Sequence, residues 1–203
     1  SDLSAFYFEI RKDRLYCDDP ASVERRACRT VMKEVFDRLT AWLAPILCFT
    51  AEEAWQCWVN DSENSVHLRA YDAIPAEWAD PALVARWATI RQVRQVVMSA
   101  LEKARNECRI GASLQAAPII HVTAEMQSLF EGLDAASLFI TSDAMVSTAP
   151  APADAFRLDG IGDVAVAFAM ADGGKCARCW RITPEVEAKD GICGRCQSVV
   201  AAA

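Results

Sequence analysis

The chain has 203 residues, 53% of them hydrophobic and 24% charged, with a net charge of −7. That length supports one sizeable core, or a larger domain with a small appendage, and the balance excludes a disordered chain. No apolar run approaches the roughly 18 residues of a membrane span, the start does not read as a signal peptide, and without an initiator Met the chain is expected to be an excised fragment.

The charge is uneven. Residues 1–111 carry 15 Lys/Arg against 17 Asp/Glu, residues 112–172 carry 1 against 8, and residues 173–203 carry 5 against 3. The average therefore argues against a general nucleic-acid sponge but leaves local polyanion binding open at both ends. Of nine cysteines, five (Cys17, Cys28, Cys48, Cys57 and Cys108) have no regular spacing. So many unpaired thiols place the protein in a reducing cytoplasm rather than outside the cell.

Leu3, Phe6, Tyr7 and Ile10 recur at helical spacing opposite Glu9, Lys12 and Asp13, and predict an amphipathic first helix. Asp18-Asp19-Pro20 ends it and opens a second, with Pro20 tolerated in the first turn. From Ala21 to about Ala44, Cys28, Val31, Val35, Leu39, Trp42 and Leu43 predict the buried stripe of a long helix that Pro45 breaks. Thr50-Ala51-Glu52-Glu53 reads as a capping box opening a short helix that ends near Trp58. Residues 60–79 read as irregular. Asp80-Pro81 then starts a helix whose stripe is Leu83, Trp87, Ile90, Val93, Val97, Leu101 and Ala104, up to Gly111. Residues 1–111 are expected to form a helical bundle.

After Gly111 the pattern changes. Residues 116–123 (AAPIIHVT) and 162–170 (GDVAVAFAM) predict strands, 124–131 and 135–140 short helices, and 147–156 a Pro/Ala loop. Residues 112–172 thus read as a small α+β module, and Gly173-Gly174 as a hinge into a tail, 173–203. The fold class expected is mainly α: a bundle, a small α+β connector and a four-cysteine knuckle.

The tail holds Cys176-x-x-Cys179, 13 intervening residues, and Cys193-x-x-Cys196. Each C-x-x-C turn aims two thiolates at one point, and two such turns supply the four sulfurs, at about 2.3 Å, of tetrahedral Zn²⁺. A redox motif explains one pair but not two, and iron fits the same sulfurs. Four protein ligands leave no position for water, so the metal is expected to be structural and to provide the tail's folding energy. Lys175, Arg178, Arg181 and Arg195 would offset the doubly negative centre.

Several stretches together resemble one family, the bacterial isoleucyl-tRNA synthetases: DLSAFYFEIRKDRLYCD (2–18), LAPILCFTAEEAWQ (43–56), LEKARNECRIGASLQA (101–116) and KCARCWR…CGRC (175–181 and 193–196). The resemblance covers nearly the whole chain in order, and the Trp directly after Cys179 favours the isoleucine member over valine or leucine. The signatures His-Ile-Gly-His and Lys-Met-Ser-Lys-Ser are absent. The resemblance therefore implies the C-terminal, anticodon-binding part of a larger ligase, without chemistry of its own. ATP would be used only by a catalytic domain elsewhere in the parent, beside an editing domain. The implied partner is isoleucine-accepting tRNA, and the implied state a cytoplasmic monomer. The rivals are a zinc-knuckle DNA-binding module and a purely structural C-terminal domain of a valine or leucine synthetase.

Anticodon bases are recognised by stacking on aromatic and Arg planes. Trp180, flanked by Arg178 and Arg181 in a segment with little core to bury it, is the candidate platform, with Arg195 nearby. Lys12 and Arg14, and the stripe of Arg25 and Arg29 on the second helix, are candidate phosphate contacts, against a solvated face with local ion pairs. Tyr7, Trp42 and Trp87 read as core, and His67 and His121 as structural or surface residues. Glu52-Glu53 reads as helix N-terminal charge.

Overall fold

The computed structural model describes residues 2–187 and 191–201. Among them the chain is mainly α, with seven α-helices and five short strands. It divides into two compact units: Pro20–Asp80, and Ser1–Asp19 together with Pro81–Ala203.

In the Pro20–Asp80 unit, helix α2 (Val23–Leu43) starts three residues after Pro20, because the Ser22 hydroxyl caps it by accepting the Arg25 N–H at 3.1 Å. It stops just before Pro45, as proline's missing N–H requires. Helix α3 (Cys48–Val59) begins two residues before the expected capping box, with no side-chain cap at Leu47, so Thr50 lies inside the helix. Glu52 has a different task. It accepts the Val66 N–H at 2.8 Å, the Ser65 hydroxyl at 2.9 Å and the Gln56 amide at 2.9 Å, tying α3 to a 3₁₀ turn at Val66–Leu68. Asn60, in the left-handed region at φ 51°, closes α3.

The buried face of α2 also differs from expectation. Cys28 is buried as expected, but Val31, Leu39, Trp42 and Leu43 are exposed, and Phe36 and Ala44, on the face that also buries Thr40, pack with α3 and the turn. The reason is Trp55, which is buried beside Phe36 with its rings stacked 6.4 Å apart and its indole N–H given to the Asn64 carbonyl at 2.8 Å.

In the other unit, a π-helical turn (Asp2–Phe8) runs into helix α1 (Glu9–Cys17), from which Ile10 reaches the core. Helix α4 (Pro81–Asn106) places Pro81 in its first turn and buries Ile90, Val93, Val96, Val97, Ala100, Leu101 and Ala104 at three- and four-residue steps. Each large apolar side chain so buried contributes about 1.5–3 kcal/mol relative to exposure. They pack on a three-stranded sheet of β1 (Ile119–His121), β2 (Met145–Ser147) and β3 (Ala165–Ala167), in the order β2-β1-β3. Strand β1 runs parallel to β2 and antiparallel to β3, so Ile120 lies opposite both Val146 and Val166. Helices α5 (Ala124–Ser128) and α6 (Ala135–Phe139) connect β1 to β2. Two arginines of α4 satisfy carbonyls at and beyond the ends of these helices: Arg86 donates to the Leu129 and Glu131 carbonyls and Arg94 to that of Leu138, each at 2.8–2.9 Å.

Candidate metal centre

A two-stranded ribbon, β4 (Gly174–Lys175) with β5 (Ile182–Thr183), carries the first cysteine turn, and helix α7 (Gly194–Ala201) starts within the second. The first turn is closed by the Cys176 N–H on the Arg181 carbonyl at 2.8 Å and the Trp180 N–H on the Cys176 carbonyl at 3.0 Å. Gly173 and Gly174, expected as a hinge, are instead packed into the ribbon. A Cβ at Gly173, where φ is +105°, would lie 2.2 Å from the Thr183 carbonyl oxygen, and one at Gly174 would lie 2.0 Å from that of Val186. Only glycine lets the backbones approach so closely. Residues 188–190, between the cysteine pairs, lie outside the described residues.

The sulfurs of Cys176, Cys179, Cys193 and Cys196 all lie within 4.8 Å of one another, and all four residues are buried. The Cys179–Cys193 separation of 3.7 Å is far beyond a disulfide's roughly 2.05 Å. It matches the edge of about 3.8 Å that follows from four Zn–S bonds of about 2.3 Å in a tetrahedron. The donor set therefore fits a closed four-thiolate zinc site; zinc would supply folding energy to a segment too small for a core of its own. Burial pushes the Cys176 thiol up, but the backbone N–H groups of Cys179, Cys193 and Arg178 outweigh it and bring the thiol down to about 6. Two of these donors stand 3.5 and 3.3 Å from its sulfur. Burial raises the thiols of Cys179, Cys193 and Cys196 above their ordinary value.

The knuckle's arginines turn inward, onto α1 and α6. Arg178 donates to the carbonyls of Cys17 (2.6 Å) and Tyr16 (3.3 Å), the last residues of α1, and reaches the Cys196 sulfur at 3.6 Å. Arg195 grips both oxygens of Asp13 at 2.7 Å and Asp18 at 3.1 Å. Arg181 bonds to Ser137 at 2.8 Å and pairs with Asp13 at 3.3 Å and Asp134 at 3.6 Å. Arg14 completes the network on Asp134 and Asp18, at 3.0 and 3.3 Å. Asp134 also caps α6 by accepting the Ser137 N–H. Burial raises the carboxyls of Asp13 and Asp134, but the hydrogen bonds and arginines around them leave both below the usual carboxylate range. Cys17 packs on the four-cysteine cluster, where burial and the Asp13 charge hold its thiol up at about 11.

Of the other candidates, Trp180 is 61% exposed and sits at φ 66°, with the Lys175 ammonium 5.6 Å from its ring centre. Lys12 is exposed and paired with Glu9. On α2, Arg25 is half-buried and Arg29 exposed. Trp87 packs edge-on to Phe6 at the core, whereas Trp42, expected there, is exposed. His67 and His121 each hydrogen-bond a backbone carbonyl, those of Cys48 and Ala149. Sequence reasoning passed over Asp13, Asp18, Asp134 and Cys17, whose partners in the knuckle lie far away along the chain and leave no spacing signal.

A helical chain carrying this knuckle has counterparts. Residues 1–122 match the family described as the anticodon-binding domain of tRNA ligase, and the chain belongs to that family. Residues 173–199 match a zinc finger found in FPG and IleRS. The chain is similar to isoleucine–tRNA ligases: 51% identical over 91% of its length to that of Agrobacterium fabrum, and 50% over 98% to that of Ruegeria pomeroyi. With the enzyme of Rhodopseudomonas palustris the identity is 48% over 92%. The chain spans about a fifth of these relatives, 19%, 21% and 19% of their respective lengths. Among the described residues no helix is long and apolar enough to cross a membrane.

Proposed function

We propose that the chain is the C-terminal tRNA-recognition part of an isoleucine–tRNA ligase. It helps hold the anticodon end of tRNA while a catalytic domain outside it uses ATP to attach isoleucine, in the cytoplasm and as a monomer. Its working segments are 1–111 and 112–172, which carry and brace the knuckle, and 173–203, the knuckle itself. Zinc on Cys176, Cys179, Cys193 and Cys196 holds the last of these together.

The observation that carries the reading is Trp180. A bulky residue in the left-handed region costs about 1–2 kcal/mol, and this one puts most of its ring in solvent. The knuckle gains little packing from it, so the ring serves a ligand. Bases stack on such a face, and Lys175 beside it supplies a phosphate contact. Lys12 and the α2 stripe of Arg25 and Arg29 are further phosphate contacts. Arg14, Arg178, Arg181 and Arg195 serve recognition by bracing the platform. The DNA-binding alternative is disfavoured because residues 1–122 match a tRNA ligase family.

The test is binding of zinc-loaded protein to isoleucine-accepting tRNA at low salt, with a non-cognate tRNA as control. Trp180→Ala is expected to weaken binding by about 1–3 kcal/mol, roughly 5- to 150-fold. Equal affinity of Trp180→Ala and the parent would assign the knuckle a purely structural role, and no preference for the cognate tRNA would overturn the reading.

A further inference from the structure

We infer that Asp13 is a positioning residue for RNA recognition: through Arg181 and Arg195 it fixes the direction in which Trp180 leaves the knuckle. The inference rests on the reading of Trp180 as a base platform.

One carboxylate holds both halves of the knuckle. Its two oxygens accept from Arg195, which lies between Gly194 and the ligand-set residue Cys196, and one of them also faces Arg181, 168 residues away along the chain. Arg181 directly follows Trp180. The Trp180 backbone is therefore held from both sides, by its own N–H on the Cys176 carbonyl and by the side chain of the next residue on α1 and α6. The next amide is fixed as well, the Ile182 N–H lying 2.7 Å from the Ser142 hydroxyl. The left-handed φ of 66° adds a narrow backbone well. The indole itself extends outward, with Lys175 over its face.

Stacking demands a ring held near its bound orientation, and a ring ordered in advance loses less freedom when the base arrives. Asp13 has no route to RNA of its own, since its carboxylate is occupied by arginines. Without it, Arg195 retains Asp18, and Arg181 retains Ser137 and Asp134. The knuckle would thus stay attached and keep its four sulfurs, but the restraint shared by its two halves would be gone.

The experiment measures affinity of the zinc-loaded 203-residue chain for an anticodon stem–loop RNA with an isoleucine anticodon, by fluorescence anisotropy. It uses Asp13→Asn, Asp13→Glu, Trp180→Ala and the double variant, with zinc content determined for each. Asp13→Asn is expected to keep one zinc and lose about tenfold in affinity; Asp13→Glu restores most of it, and the double variant binds no more weakly than Trp180→Ala alone. Wild-type affinity of Asp13→Asn, or losses that multiply in the double variant, would overturn the positioning role and leave the platform standing. No effect of Trp180→Ala would remove the platform, and the positioning role with it. If Asp13→Asn loses zinc, Arg181→Gln asks the same question from the other end, leaving the Asp13–Arg195 pair intact. Multiplicative loss with Trp180→Ala there would equally overturn the inference.

Discussion

Zinc loading at pH 7 should release about three protons per ion, not four. Coordination requires four thiolates, so every thiol still protonated in the metal-free cage gives up its proton on binding. Cys176, brought to about 6 by the N–H groups facing it, is roughly nine-tenths ionised at that pH. Cys179, Cys193 and Cys196 lie above the ordinary thiol value of 9.0 because of burial, and are essentially protonated. Three protons therefore leave, with about a tenth of a fourth. Thiols of an unfolded tail, near 8.5, would release almost four. The sign follows: affinity falls as pH falls, because protons compete with the metal. The slope of log affinity against pH should be about three above pH 6 and steepen towards four below it.

Calorimetric titration of zinc into metal-free protein, in buffers of different ionisation enthalpy, counts these protons directly. Chelator competition across the same pH range gives the slope. Four protons at pH 7, with a slope of four throughout, would refute the reasoning. It would show that the three N–H groups do not stand around Cys176 until the metal arrives, and so that the ribbon and its arginine contacts cannot hold the cage unaided.

Three further outcomes are expected. Gly174→Ala drives a Cβ to 2.0 Å from the Val186 carbonyl oxygen; it should cost about 2 kcal/mol or more and weaken zinc retention in a chelator challenge. Trp180→Gly removes a left-handed backbone cost of about 1–2 kcal/mol and adds unfolded-state freedom of about 0.5–1 kcal/mol. The stability of zinc-loaded protein should then change by no more than about 1.5 kcal/mol, whereas the loss of about 3–5 kcal/mol expected for a core aromatic would contradict its exposure. Glu52 is held below the usual carboxylate range by the Gln56 amide, then by the Val66 N–H, with burial opposing. A depressed carboxyl contributes stability above its unfolded value and loses it as pH falls through the folded one. Glu52→Gln should therefore lower the melting temperature at neutral pH and flatten its acid dependence, and an unchanged acid dependence would show those bonds to be weak.

What the residues made legible were features encoded within a few positions. The cysteine spacing located all four buried sulfurs, and the stripe of α4 named Ile90, Val93, Val97, Leu101 and Ala104 correctly. The failures came where a distant partner decides. The stripe of α2 rests on spacing alone, but Trp55 and Val66 select the neighbouring face with Phe36 and Ala44. Thr50-Glu53 had the residues of a capping box, but α3 starts at Cys48 and Thr50 lies inside it. Strand β2, three residues long beside a Pro/Ala loop, carries too few alternations to be seen. The largest gap was charge. Lys175, Arg178, Arg181 and Arg195 read as counterions of a doubly negative centre or as RNA contacts, and no spacing pointed to their acidic partners. Asp134 of the acidic middle segment and Asp13 of α1 are where Arg181 and Arg195 go.

This division separates two tasks that the knuckle's small size would otherwise confuse. Partly exposed ion pairs are each worth only about 0–1 kcal/mol, so the arginine network is the smaller share of the tail's stability. Four thiolates around zinc bring on the order of 10–16 kcal/mol, more than enough, but a metal cage is indifferent to where the folded knuckle sits. The ion pairs are directional. A fork-shaped guanidinium on both oxygens of Asp13 fixes an angle as well as a distance. Metal thus supplies most of the knuckle's stability, and the arginines decide which way Trp180 faces. Stripping zinc should destabilise the tail strongly and weaken RNA binding. Loosening the Asp13 contacts should leave the first intact and weaken only the second, a separation that a purely structural tail would not show.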